Sequence, residues 1–383
     1  LERDRDGRFR YALLANRGLV RFESRKLDLA IADLEEAIEL DPRQLSAHVT
    51  LAQIHRQQHQ LDLALSELSR AIALEPGLAP LYRTRACWNL ESPRVTQEVR
   101  AQVIADLERA IRLDAPNSRD LAKDHAEMGR LLLLDKQFQR ALEACDRALK
   151  IDPDDPEVHR WRVGALLELS RPSEAIEACD AYLRAGRSSA DLLGLRGLAK
   201  AKRNDFVGAI DDYTLALAKE PRSPVVRGRR GWAYLVSGAP QLALRDFEEV
   251  IRNDSSNADA YSGRGSARAA LGHCRLAVAD AEESLRHGEP EARLLYSAAR
   301  ILALAAESAK AEPSRRVLSD AAAAEGQCER ALDLLRQAVE RTPPQERAEF
   351  WSNVVQSDHA FTAIRRHSAY ARIGVAAALP RPR

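Results

Sequence analysis

YALLANRGLVRFESRKLDLAIADLEEAIELDPRQ, residues 11–44, reads as two amphipathic helices and a stop. Its first half places Leu14, Arg17, Gly18 and Arg21 on one helical face. Its second half does the same with Leu27, Ala30, Ile31, Leu34, Ala37 and Ile38. Asp41-Pro42 then ends the second helix, because proline disfavours the αR conformation in the residue before it. Gly18 and Ala30 are small and fall where two helices cross, and a bulkier residue at either would push the axes apart. A pair of helices this short cannot bury its apolar faces alone, so it needs neighbours.

The neighbours follow at a spacing of 34 residues, with Pro42, Pro76, Pro153 and Pro221 in equivalent places. Ala30, Ala64, Ala141, Ala175, Ala209, Ala243 and Ala277 share another place. Gly18, Ala52, Ala86, Gly129, Gly197, Gly231 and Gly265 share a third. Small residues at the eighth and twentieth places, large apolar residues near the fourth and twenty-fourth, and proline at the thirty-second resemble the tetratricopeptide repeat (TPR) family. The resemblance covers about residues 11–343, nine units in register. It implies an all-α, right-handed α-α superhelix of helix-turn-helix repeats, with C-terminal helices capping the open end.

The expected organisation follows from the register. Residues 1–10 are a charged segment that frays. Repeats one and two are 11–44 and 45–78, and repeats four to eight run from 122 to 291 without interruption. Repeat three starts at Ala79 and carries an insertion within 91–102, with four extra residues (118–121) after it. Repeat nine starts at Ala292 and is split by an insertion at 305–327, rich in alanine and charge, that suits lengthened helices. Both insertions are expected at the ridge where first and second helices meet. Residues 344–383 form the cap and tail, with Phe350, Trp351, Val354, Val355, Phe361, Ile364, Tyr370 and Ile373 available to cover the last repeat. This tail is similar to the ends of TPR regions in large bacterial multidomain proteins, Ser/Thr kinases among them. Leu1 is not an initiator methionine, so the chain reads as part of a longer or processed protein.

Composition narrows the function classes. A net charge of +1 gives no long-range attraction to nucleic acid or an anionic membrane. No apolar run approaches the roughly 18 residues of a membrane span. Only eight of 58 basic residues are lysine, which with the abundant alanine fits a GC-rich bacterial genome. Five cysteines form no CxxC pair, and Cys145, Cys179, Cys274 and Cys328 fall at second-helix places. They read as small buried hydrophobes in a reducing, cytoplasmic compartment, with a metal or redox role as the alternative.

The seventh place is often arginine and the twenty-third often aspartate. This suggests structural ion pairs Arg17–Asp33, Arg85–Asp106, Arg196–Asp212, Arg230–Asp246 and Arg264–Asp280 across each hairpin. A phosphate-binding arginine ladder is the alternative. Leu51 faces Glu67, and Arg162 faces Ala178, so two repeats break the rule.

No chemistry stands out. His55 and His59 have the spacing of a helical metal pair but lack the glutamate of HExxH, and the second falls in a turn. His48, His125 and His159 share the fourth place and read as packing residues. Gly263-Arg-Gly265-Ser266 follows no strand, so it is not a phosphate loop. The resemblance therefore implies no enzyme, no cofactor and no metal, but a protein or peptide partner. The two-carboxylate clamp of chaperone-binding members needs lysine, asparagine and arginine at set places. Here Ser46 and Thr50 stand where cations are required, so a chaperone EEVD tail is disfavoured.

In this family the second, fifth, sixth, ninth, twelfth and thirteenth places of the first helices face a concave groove. Across repeats five to seven these include Arg160, Trp161, Leu195, Leu198, Arg229, Trp232 and Leu235, beside the small residues Gly194, Gly228, Ser262 and Gly263. Tryptophan and arginine are frequent binding hot spots. The expected role is a protein-interaction scaffold whose groove takes an apolar residue followed by an acidic one. The alternatives are a structural or regulatory domain that wraps other parts of its own protein, and tryptophans that only wedge helices apart. Repeats one to four offer a more polar surface, with Asn16, Thr50, Gln53 and Arg83.

Overall fold

The computed structural model describes residues 2–114, 119–311 and 318–378, and no strand occurs among them. The chain divides into two compact units, Leu1–Arg171 and Pro172–Arg383. The first holds α1 (Glu2–Glu23), α2 (Leu27–Leu40), α3 (Leu45–Gln57), α4 (Leu61–Leu74), α5 (Ala79–Leu90), α6 (Gln97–Leu113), α7 (Arg119–Leu134), α8 (Phe138–Ile151) and α9 (Pro156–Glu168). The second holds α10 (Pro172–Arg184), α11 (Ala190–Lys202), α12 (Phe206–Lys219), α13 (Pro224–Val236), α14 (Pro240–Asn253), α15 (Ala258–Ala270), α16 (Cys274–His287), α17 (Ala292–Ala311) and α18 (Leu318–Arg341). Within each unit consecutive helices pack as hairpins, and each hairpin packs on the next. This is an all-α solenoid of helix-turn-helix repeats.

Two small-residue positions set the spacing. The seven alanines of the twentieth place are completely buried. At the eighth place a Cβ on Gly18 would come within 2.9 Å of Leu34, one on Gly197 within 2.7 Å of Tyr213, and one on Gly231 within 2.9 Å of Phe247. In these three the bulky partner is the twenty-fourth residue of the same repeat, so a small eighth place makes room for a large twenty-fourth; at Gly265 a Cβ would instead meet Ile301 at 3.0 Å.

Caps mark the joints. Asp155, Ser189, Ser223 and Asn257 each accept a backbone N–H from the first turn of the following helix. In seven of the hairpins the inner turn has one residue with positive φ, at the fifteenth place. Gly238 and Gly272 supply it at φ 73° and 77°, but Arg25, His59, Lys136, Ser170 and Asn204 adopt φ 56–62° without being glycine.

Among the described residues, the segments outside the repeat pattern are mostly helical. Residues 2–10, expected to fray, continue α1. Of 91–102, residues 97–102 form the first turns of α6, and the loop before them is tied down on both sides. Arg56 holds Glu91 at 2.5 Å, and Arg100 donates to Asp135 of the next hairpin turn at 2.6 Å. The second insertion lengthens α17 and α18, except for 312–317, which lie outside the described residues, as do 115–118.

After α18 the chain forms α19 (Arg347–Glu349), a π-helical turn (Phe350–Val355), a 3-10 turn (His359–Phe361) and α20 (Ser368–Ala378). Trp351, Val355, Phe361, Ile364, Tyr370 and Ile373 are buried with residues of α17 and α18. Phe350 is partly buried, whereas Val354 stays exposed. Tyr296 and Arg300 of α17 both donate to Asp358, at 2.6 and 3.0 Å. The last residues, 379–383, lie outside the described ones.

The turn geometry predicts a gain from glycine. A non-glycine residue in the left-handed region costs roughly 1–2 kcal/mol, and glycine gives back part of that through unfolded-state entropy. Lys136→Gly is expected to raise stability by about 0.5–1 kcal/mol in denaturant melts. Unchanged or lowered stability would show that the turn is not strained.

Candidate functional site

The seventh-place arginines lie between first and second helices. Arg17 reaches Asp33 with Nε at 2.8 Å and Nη2 at 2.5 Å. Arg85 holds Asp106 at 2.8 and 2.6 Å, Arg196 holds Asp212 at 2.9 and 2.6 Å, and Arg230 holds Asp246 at 2.8 and 2.7 Å. Arg264 meets Asp280 at 2.7 Å through Nη2. All five aspartates are buried, so each guanidinium forms a two-bonded fork on a carboxylate out of water. The hydrogen bond from Arg17, aided by the charges of Arg17 and Arg21, holds Asp33 below its ordinary value. The same bonding raises Arg85, Arg196 and Arg230.

Two sets of contacts were not legible from the pairing rule. The free edge of the guanidinium reaches back to the twenty-fifth residue of the preceding repeat. Arg85 meets Ser69 at 3.0 Å, Arg196 meets Asp180 at 2.6 Å, and Arg230 meets Thr214 at 3.1 Å. Arg162, which has alanine at its own twenty-third place, donates to Asp146 at 2.5 Å. The eleventh residue, one helical turn beyond the arginine, adds a second cation: Arg21 on Asp33, Lys200 on Asp212 at 2.8 Å, and Arg268 on Asp280 at 2.8 Å. The other exception, Glu67 opposite Leu51, is buried against His48 Nδ1 at 2.7 Å and Arg70 at 2.5 Å.

The candidate groove residues are all half-buried. In the first unit Trp161 packs on Cys145, Ala148 and Val158. It lines a cleft of about 700 Å³ with Ala122, Ala126 and Val158, rimmed by Lys123, Glu127, Asp152 and Asp155. Arg160 is not a free cation, because it holds Glu157 at 2.5 Å. Arg83, read as open polar surface, is likewise spent: it bonds Asp114 at 2.5 Å and Asp124 at 2.7 Å. Burial pushes the Asp124 carboxyl above its ordinary range despite that bond.

In the second unit Trp232 is packed edge-on against Phe247, with ring centroids 5.4 Å apart, and its Nε1 donates to Asp259 at 2.9 Å. One edge of the indole is therefore structural, and Leu235 packs on the same cluster. Gly228, one turn before Trp232, faces open space, since a Cβ there would touch nothing within 4 Å. Arg229 has no carboxylate partner among the described residues. Leu195 and Leu198 stand at the corresponding sixth and ninth places of α11.

The other candidates resolve simply. His55 bonds Gln60 at 2.8 Å and His59 sits in the left-handed turn, so the pair does not converge on a metal. No group of three or more metal-ligating side chains occurs among the described residues. Cys145, Cys179 and Cys328 are buried, Cys274 is half-buried and Cys87 is exposed. Burial pushes the Cys145 thiol up to about 12. No described helix is long and apolar enough to cross a membrane.

Comparison with known proteins gives matches to two family profiles, both described as tetratricopeptide repeat. One matches residues 21–85 and 132–199, the other 195–258 and 229–272. Tetratricopeptide repeat protein 13 of Homo sapiens is 26% identical over 132 residues, which cover 34% of this chain and 15% of that protein. Stress-induced-phosphoprotein 1 of Caenorhabditis elegans is 20% identical over 200 residues, 44% of this chain and 62% of that one. The chain thus spans less than two thirds of each of these relatives. Among solved structures, YrrB, described as a TPR protein with an unusual peptide-binding site, aligns with a TM-score of 0.40 at 21% identity, covering 47% of this chain and 91% of that chain. Naa15/Naa10 bound to HypK-THB aligns with a TM-score of 0.46 at 14% identity, over 93% and 54%.

The forks define a test. Asp246 is buried under Arg230, and its other cationic neighbour, Arg227, is 3.8 Å away. Asp246→Ala is expected to cost roughly 3 kcal/mol, because it strands a mostly buried guanidinium. Adding Arg230→Leu should recover most of that loss. The Asp212 pair is a poorer choice, since Lys200 would remain unpaired in the double variant. Chemical melts that show no recovery would overturn the structural assignment of these arginines.

Proposed function

The chain belongs to the tetratricopeptide repeat family, and from that premise we propose that it is a non-catalytic scaffold that binds a peptide segment of a partner protein on its first-helix faces. The segment chosen is repeats six and seven, around Leu195, Leu198, Arg229, Trp232 and Leu235. The observation that carries this choice is the pairing of Gly228 with Trp232. Gly228 leaves open space one turn before a half-buried, fixed indole, and the cation beside it, Arg229, has no carboxylate of its own among the described residues. A rigid aromatic anchored on its other edge is a good hot spot, because little side-chain entropy is lost on binding. The expected ligand is an extended segment with an apolar residue for the indole and leucines, followed by an acidic residue for Arg229. Arg160 and Trp161 of the first unit are a secondary patch, weakened by the Glu157 bond.

Truncating Trp232 would disturb its Phe247 and Asp259 contacts, so occlusion is the cleaner test. Gly228→Met replaces a helical glycine by a better helix former and should stabilise the fold by about 0.5–1 kcal/mol. The same side chain would cover the indole. Random-peptide display on the full chain is expected to enrich sequences with an apolar residue followed by aspartate or glutamate. Binding of the enriched peptides should fall at least tenfold in Gly228→Met and in Arg229→Glu. Enrichment of unrelated sequences, or peptides that bind both variants normally, would overturn the assignment.

A further inference from the structure

A second cleft lies within the first unit, formed by the second helices α6 and α8 over the first helix α7. It is a cleft of about 280 Å³, and His125 lines it. Three other fourth-place polar side chains find hydrogen-bond partners. His48 meets Glu67 and the Pro42 carbonyl, Tyr82 donates to the Pro76 carbonyl, and His159 meets the Pro153 carbonyl. His125 differs. It is only 5% exposed, and its Nδ1 has no hydrogen-bond partner among the described residues. An unpaired buried nitrogen is costly and calls for a physical reason.

The cleft's chemistry supplies one. Its rim carries three guanidiniums, Arg112, Arg140 and Arg147, against two carboxylates, Glu108 and Glu143. Glu108 is already engaged, with Arg140 at 2.9 Å and Arg112 at 3.9 Å. Glu143 accepts from Gln139 at 3.2 Å. Arg147 has no carboxylate partner among the described residues. Burial, with the charge of Arg147 added, pushes His125 below the ordinary histidine value of 6.5 and keeps it neutral. A neutral ring with its proton on Nδ1 is a donor, and Arg147 is another. The apolar part of the lining is Ile111, Met128, Leu132 and Ala144.

We propose that the cleft over His125 binds a carboxylate carried on a short apolar stem: the acidic side chain or chain terminus of a partner polypeptide. Two donors of this kind ask for an acceptor with negative charge, and the excess guanidinium excludes an ammonium group. The apolar lining favours methylenes over a fully hydrated anion such as phosphate. The site uses second helices, so its occupancy is compatible with a peptide on the first-helix face. It does not rest on that reading.

The test is nitrogen-15 NMR of the histidine rings in the full chain, with His125→Phe to assign the signal. The probes are butyrate, inorganic phosphate and butylammonium. Butyrate is expected to shift the His125 Nδ1 resonance saturably, and butylammonium to leave it unmoved. Arg147→Gln, a change at an exposed position, should weaken butyrate binding at least fivefold. Absence of a saturable butyrate shift would overturn the proposal. So would tighter binding of phosphate than of butyrate, or an Arg147→Gln variant that binds butyrate as the parent does.

Discussion

A buried carboxylate in the second helix is the constraint on which most of this structure turns. Asp33, Asp106, Asp212, Asp246 and Asp280 are at most 4% exposed, and an aspartate taken out of water must be neutralised by a partner of fixed geometry. The seventh-place arginine provides that partner through a two-bonded fork, which sets the first helix against the second in both distance and rotation. In Arg85, Arg196 and Arg230 the remaining edge reaches the preceding repeat, so one side chain specifies a contact inside the hairpin and another between hairpins. Such pairs add little net stability compared with a well-packed apolar pair, but an alternative register leaves charges stranded. The ladder is therefore best understood as fixing register, while the alanines and the close-packed eighth place supply the cohesion.

This accounting shapes the functional surface. Arginines at the seventh place, and Arg83 and Arg160 beside them, are held by the protein's own carboxylates and are poor candidates for ligand contact. Two of the cations without such a partner stand beside other candidate contacts. Arg229 lies on a first helix beside an indole, and Arg147 on a second helix near a buried imidazole. Each therefore has charge to offer a partner.

The repeat boundaries were legible because a period of 34 residues carries several independent signals at once: the twentieth-place alanines, the thirty-second-place prolines and the eighth-place glycines. The forks were legible too, since arginine and aspartate recur at matched places. The contacts of the eleventh and twenty-fifth places were not, because they depend on how far a long side chain reaches along its own helix and across to the preceding hairpin. Arg83 looked available for the same reason: its acids, Asp114 and Asp124, lie beyond an insertion that hides the register. The sequence placed Trp232 on an inward-facing position but could not show that Asp259 of the next helix would fix the indole in place. His125 looked like its equivalents His48 and His159, and only the coordinates distinguish a bonded nitrogen from an unbonded one.

The most direct measurement of the central claim is solvent exchange of the arginine Nε–H protons by NMR, for the arginines that fork onto buried aspartates. Arg85, Arg196, Arg230 and Arg264 have side chains only 16–17% exposed, and each donates Nε–H to its aspartate. The account predicts four slowly exchanging Nε–H signals that disappear one by one when the matching aspartate is replaced by alanine. Exchange at the rate of a free surface arginine in all four would contradict it.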